Sequence, residues 1–463
     1  MEAQASPLQI EAATEPVPVA FLGATVMDGT GSPPIDDSVV ITSEGRIQCV
    51  GRREDCTVPP GIPTLDLSGY WITPGLVDAH AHLSLSGWVD TRPDILDLRA
   101  EFPYAAAVAR LRQTPHVIFQ SYLCSGVTAV FDLGGFPWTW ELRELARSSA
   151  VAPTISAVGP FLSLTDGWLQ LPAERRSLLL SDRDAVRSAA DYLISSGADG
   201  IKVDLSEPGD SAGGQVPRGW EDELLELAAR WARSGGIPLV VRTPEVERAR
   251  GALLAGASIL SRSVDDREVD DGFVELLRRR GALYIPTLYV HEAAVGLRER
   301  RWVEMEELDT LCLDPGTLEW LRSTEVRPGR EARTDQEVAR DQERARIRRE
   351  NLLRLHAAGI PLVVGSDAGE PLVPHGTGIH RELRELQEAG IPPEDLLVAA
   401  TLNGARALGL QEVLGTVEAG KVADLLVLQE DPTLDVGALH RSLRMVVRGG
   451  RVFGRDDLAF VGP

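Results

Sequence analysis

The sequence predicts a (β/α)8 barrel carrying a small composite β-sandwich, and three observations support that fold class. Apolar runs alternate with amphipathic stretches through the middle of the chain, the pattern of βα units feeding a parallel sheet. Both ends of the chain are β-rich, so each supplies part of one small sheet domain. The 463 residues, 43% of them hydrophobic, suffice for a large barrel core and a smaller partner.

Residues 1–18 read as a flexible tail, polar and acidic, without the basic and apolar regions of a signal peptide. Residues 19–72 carry short strand patterns at 19–22, 38–41 and 46–50, and 411–463 carry more at 423–428 and 445–452. Together they form the expected sandwich. The barrel spans 73–410, with strands near 75–82, 127–132, 153–158, 199–205, 238–242, 257–261, 282–288 and 361–367. Helical periodicity fills the gaps, as in Asp184 to Ser196 and Glu221 to Arg233. A stretch at about 292–350 is dense in Arg and Glu and reads as a solvated helical insertion with internal ion pairs. It follows the seventh strand, so a lid is the other reading.

The net charge of −22 argues against nucleic acid and anionic membranes as partners. No apolar run is long enough to span a bilayer. Cys49, Cys56, Cys124 and Cys312 are scattered without CxxC spacing and read as free thiols in a reducing cytoplasm.

The chemistry starts at Thr73-Pro74-Gly75-Leu76-Val77-Asp78-Ala79-His80-Ala81-His82. Side chains alternate along a strand, so His80 and His82 share a face and can grip one metal ion. Of 47 basic residues only Lys202 and Lys421 are lysine. Lys202 lies inside the fourth apolar strand, where an unpaired lysine is costly. Lysine can take up carbon dioxide to become a carbamate ligand, which arginine does not usefully do; the plainer reading is an ion pair with Asp204. Asp367 ends the eighth apolar strand, where a carboxylate can ligate a metal and accept a proton from water. Its plainer reading is a helix cap.

These residues resemble the metal-dependent amidohydrolase superfamily, in the branch of imidazolonepropionase and the prolidase-like dipeptidases. The similarity extends through Ser125-Gly126-Val127-Thr128, Gly365-Ser366-Asp367-Ala368-Gly369, Thr401-Leu402-Asn403-Gly404-Ala405-Arg406 and Gly415-Thr416-Val417-Glu418-Ala419-Gly420-Lys421-Val422-Ala423-Asp424. The resemblance assigns Lys421 to a sandwich signature rather than to the active site. In two-metal relatives one ion takes the His-X-His pair, the carbamate and the aspartate, and the other takes the carbamate and two later histidines. The resemblance therefore implies His80, His82, carbamylated Lys202 and Asp367 as ligands of one divalent ion, zinc by type. It also implies a small-molecule substrate, with an anionic one as an option, and leaves a homo-oligomer open.

The chain departs from the family at the other two positions. Arg242 and Arg262 stand at the ends of the fifth and sixth strands, where the later histidines would be. Arginine cannot ligate a metal. The expectation is a single-metal hydrolase of an amide, cyclic amide or dipeptide-like C–N bond, with Asp367 moving the proton and Arg242 and Arg262 stabilising an oxyanion or gripping a carboxylate. A catalytically degenerate binding protein and an isomerase, lyase or cyclase on the same barrel are the alternatives. Trp168, His291 and His375 are further substrate-contact candidates near the barrel mouth.

Overall fold

The computed structural model describes residues 16–93, 95, 98–163, 177–179, 182–205, 220–299, 306–322 and 334–460. The first strands are β1 (Val19–Leu22), β2 (Thr25–Val26), β3 (Ser38–Ser43), β4 (Arg46–Arg52), β5 (Thr64–Asp66) and β6 (Trp71–Pro74). The central ones are β7 (Leu76–Ala81), β8 (Val127–Asp132), β9 (Thr154–Ala157), β10 (Phe161–Ser163), β11 (Ser177–Leu179), β12 (Ile201–Asp204), β13 (Leu239–Arg242), β14 (Ile259–Ser261) and β15 (Leu283–Ile285). The last are β16 (Leu425–Leu428), β17 (Leu443–Arg448) and β18 (Arg451–Gly454).

The two chain ends share a sheet. β2 and β6 join β16, β17 and β18 in the order β18-β17-β16-β6-β2, and β4-β3-β1-β5 form a second sheet. Phe21, Val40, Ile47, Ile72, Leu425 and Val447 of both sheets bury their side chains in one cluster. Lys421 belongs here: its ammonium lies 2.9 Å from Glu418.

The central strands are parallel and form two arcs, β7-β8-β9 and β11-β10-β12-β13-β14-β15. Both faces of β7 are buried, as expected of a parallel strand covered by helices. Residues 361–367, expected as the eighth strand, and Ala368 after them form only isolated bridges, Tyr284 with Leu362 and Ala81 with Ala368. The Val363 amide donates to the Tyr284 carbonyl at 2.9 Å, the Asp367 amide to His80 at 2.7 Å and the His82 amide to Ala368 at 2.7 Å. The segment thus sits between β15 and β7. Its regular ladder is interrupted where the Asp78 carboxylate, instead of a strand carbonyl, accepts from the Ser366 amide at 2.9 Å and the Ser366 hydroxyl at 2.6 Å. Among the described residues no ladder joins β9 to β10 or β12. Asp199 spans that gap, its carboxylate accepting from the Ala157 amide at 2.8 Å.

The insertion after β15 is helical at Tyr289–Arg298, Glu307–Cys312, Pro315–Arg322 and Asp335–Ala357. Thr334 and Glu337 cap the longest of these reciprocally, side chain to backbone. Arg346 pairs with Glu343 at 2.7 Å on its exposed side.

The free-thiol expectation fails. Cys49 is bonded to Cys56 with Cα atoms 5.9 Å apart, and Cys124 to Cys312 with Cα atoms 5.4 Å apart. The second bridge joins helix Pro115–Cys124 to the insertion helix Glu307–Cys312, across a separation of 188 residues that conceals the contact from a spacing argument. With no free cysteine present, the thiol argument for a reducing compartment is removed. No described helix is long and apolar enough to cross a membrane.

Candidate metal centre

β7 and the residue after it deliver His80 and His82 to one buried point, and the segment after Val364 delivers Asp367 to the same point. His80 Nε2 lies 3.2 Å and His82 Nε2 3.1 Å from Asp367 Oδ1. The ligand atoms of these three side chains all fall within 4.8 Å of one another. Close packing fixes the arrangement. A Cβ on Gly365 would lie 2.6 Å from His80 Cβ, and one on Gly369 2.4 Å from the His82 carbonyl.

His82 Nδ1 sits 2.6 Å from the Gly134 carbonyl, so Nδ1 carries the hydrogen. In the neutral ring, Nε2 then turns a lone pair toward Asp367 Oδ1. Two electron pairs about 3 Å apart inside a protein repel unless a cation or proton lies between them. His80 makes no hydrogen bond through either ring nitrogen. Burial, reinforced by Lys202, His82 and Arg242 and opposed by Asp367, pushes the His80 imidazole well below its ordinary pKa. Burial pushes the Asp367 carboxyl up, but His80, His82 and Arg262 outweigh it and hold Asp367 well below the usual carboxylate range.

Lys202 is buried in β12, its Nζ 5.9 Å from the centre of the Phe161 ring. Arg242 ends β13 and donates to Asp204 at 2.9 Å. Arg262 follows β14, its Nη1 3.9 Å from Asp367 Oδ2. Burial and then Arg242 bring the Arg262 guanidinium down to about 10. Arg242, also opposed by burial, is raised by Asp204, Asp367 and Glu370. Both arginines line a cavity of about 310 Å³ with His291, Asp265 and arginines of the insertion. His291 is among the lining residues, and its buried Nε2 has no hydrogen-bond partner.

His375 is placed differently. Its Nε2 lies 2.8 Å from the Leu85 carbonyl and its Nδ1 3.0 Å from the Tyr122 hydroxyl, so neither ring nitrogen is left for a substrate. Trp168 lies outside the described residues.

Sequence reasoning missed several charged neighbours. Asp78 ties residue 366 to β7 and lies two positions before His80, so strand alternation alone gives it the same face. Asp132, at the end of β8, is fully buried; burial raises its pKa against the pull of His82 and Lys202. Glu370 is ion-paired with Arg92. No sequence signal joins those two residues, which come together only through the fold.

The Amidohydrolase family model matches residues 304–453. The imidazolonepropionase of Rhizorhabdus wittichii is 24% identical over 437 residues, 87% of this chain and 90% of the relative. A Xaa-Pro dipeptidase with bound methionine in the active site superposes with a TM-score of 0.70 at 19% identity, over 94% of this chain and 100% of that one. Ochratoxinase from A. niger gives 0.73 at 18% identity, over 95% and 96%. At these identities the solved structures establish the fold, an α/β fold shared with amidohydrolase TIM-barrel proteins. The family match over residues 304–453 and relatives aligned along nine-tenths of their length make the chain similar to the amidohydrolase superfamily, in its imidazolonepropionase- and prolidase-like branch.

Proposed function

We propose that the protein hydrolyses the C–N bond of a small amide, cyclic amide or dipeptide-like substrate at a single-metal centre. The observation that carries this is the convergence of three buried ligand atoms, His80 Nε2, His82 Nε2 and Asp367 Oδ1, within 4.8 Å of one another. A divalent ion fits that donor set, and two imidazoles with a carboxylate favour zinc. The fourth ligand is Lys202 as its carbamate, formed when the neutral amine adds carbon dioxide and releases a proton. Burial of Lys202 supports this, since desolvation favours the neutral amine.

When bound, the ion supplies a Lewis acid that polarises the scissile carbonyl and acidifies water. The side chains do the rest. His82 is held in one tautomer by the Gly134 carbonyl. Asp367, ionised at neutral pH, accepts a proton from the attacking water and returns it to the departing nitrogen. Arg242 and Arg262 hold fixed positive charge beside Asp367, where two-metal relatives carry a second ion, and stabilise the oxyanion as it forms. Asp204, opposite Arg242 on the neighbouring strand β12, holds its guanidinium.

The test is turnover in heavy-oxygen water across N-acyl amino acids, Xaa-Pro dipeptides and small cyclic amides. The proposal expects one solvent oxygen in the acid product. A product without solvent oxygen would point to an isomerase or cyclase, and absence of both metal and turnover to a binding protein.

A further inference from the structure

We propose that the cavity above Arg242 and Arg262 is a subsite for a multiply charged anionic group, a dicarboxylate or a phosphoryl group, on the non-reacting end of the substrate. As a substrate subsite it rests on the hydrolase reading above. The cavity holds about 310 Å³, room for a small-molecule arm. Arg242 and Arg262 form part of its lining from the strand ends, and helix Asp335–Ala357 contributes Arg340, Arg344 and Arg348. Their spacing of four residues puts these three on one helical face. Arg298 comes from the neighbouring helix Tyr289–Arg298.

The charges on this lining do not balance. Among the described residues, six arginines line the cavity with Asp265 and Asp341, and Asp204 and Asp367 beside it take Arg242 and Arg262, so six guanidiniums meet four carboxylates. Asp265 serves two arginines, Arg348 at 2.7 Å and Arg344 at 3.9 Å, and Asp341 serves Arg298 at 3.0 Å. Arg340 makes no ion pair among the described residues. The exposed side of the same helix is matched instead, with Arg346 paired to Glu343. A chain with a net charge of −22 has thus gathered an excess of guanidinium around one cavity. Clustered guanidiniums around a concave site suit carboxylate or phosphate, whose oxygens accept two parallel hydrogen bonds from one arginine. A single negative charge would leave part of the excess uncompensated; a dianion offsets more of it.

His291 adds a second, independent indication. Its Nε2 is buried at the cavity wall without a partner. Burial first, then Arg262 and Arg348, push this imidazole well below its ordinary pKa, so it stays neutral. A neutral ring offers one hydrogen bond to an anion without adding further charge.

The experiment is calorimetric titration of the full-length, metal-loaded protein at low salt with acetate, succinate and inorganic phosphate. The expected result is that succinate or phosphate binds at least about tenfold more tightly than acetate, the size of one added charge-assisted contact. The tighter of the two identifies the source, dicarboxylate or phosphoryl. The double variant Arg340→Gln with Arg344→Gln should abolish the preference while keeping its metal and melting temperature. Dianions that bind within twofold of acetate would overturn the proposal. So would a preference that survives in the double variant, since the anion would then be held elsewhere. No turnover is required, so the outcomes separate: a metal-free chain that keeps the preference sinks the hydrolase reading alone, and a metal-loaded chain without it sinks the subsite alone.

Discussion

Arg262 Nη1 lies 3.9 Å from Asp367 Oδ2, and both residues adopt left-handed backbone, with φ of +84° and +60°. Such a conformation costs a non-glycine residue on the order of 1–3 kcal/mol, and it persists only where the surroundings impose it. Here the Arg262 amide donates to the Ile285 carbonyl at 2.8 Å and the Asp367 amide to His80 at 2.7 Å. The strand framework thus holds a permanent cation against the carboxylate proposed as both ligand and proton carrier.

Replacing either Arg242 or Arg262 with Met should leave metal content intact and lower kcat/KM by about 30- to 1000-fold, the loss of one charge-assisted contact of roughly 2–4 kcal/mol. Arg242→Met should also lower the melting temperature, because it removes the 2.9 Å partner of buried Asp204. Arg242→His with Arg262→His should bind a second ion, which elemental analysis of that variant would count. Normal turnover in both Met variants would make the arginines bystanders.

Lys202→Ala should lose both metal and activity, and bicarbonate with a short carboxylic acid should partly restore them. Lys202→Arg keeps the charge and cannot form a useful carbamate, so it should be equally inactive. An active Lys202→Arg enzyme would return Lys202 to an ordinary ion-pair role.

Much of the site was legible because strand alternation is local. His80 and His82 two residues apart, Lys202 inside an apolar run and Asp367 at the end of another need only a period of two. What was not legible depends on distant chain segments. Arg348 reaches Asp265 across 83 positions and Arg92 reaches Glu370 across 278, and no pattern in either neighbourhood signals the other. The eighth strand was expected as regular and came out as bridges, because Asp78 captures the Ser366 amide. His375 was expected at the barrel mouth by its place after that strand, but Tyr122 and Leu85 engage its ring.

The cysteine pairing is open to direct titration. Unfolding in denaturant without reductant should expose no reactive thiol, and reductant should release four. Reduction should also lower stability. Loop entropy for the 188-residue separation sets an upper bound of about 5 kcal/mol on the contribution of Cys124–Cys312. Free thiols in the unreduced protein would contradict both bridges.

His375 makes acid stability measurable. Burial, partly offset by the Leu85 contact, brings its pKa down from 6.5 to about 4. A depressed folded-state pKa contributes stability above the unfolded value of 6.5, and that contribution is lost as pH falls through about 4. Its full size is about 3 kcal/mol. Urea unfolding at pH 7 and pH 4 should therefore show a larger acid loss in the native protein than in His375→Gln. Equal losses would mean that the ring does not resist protonation.

The central claim is one ion at His80, His82, Lys202 and Asp367, with Arg242 and Arg262 in place of a second. Elemental analysis of protein purified without chelator or a metal-binding tag, after growth in zinc-supplemented medium, tests it most directly. The account predicts close to one zinc-like ion per chain. Two tightly held ions would show that other residues replace the missing histidines, and none would show that the converging imidazoles and carboxylate do not form a metal site.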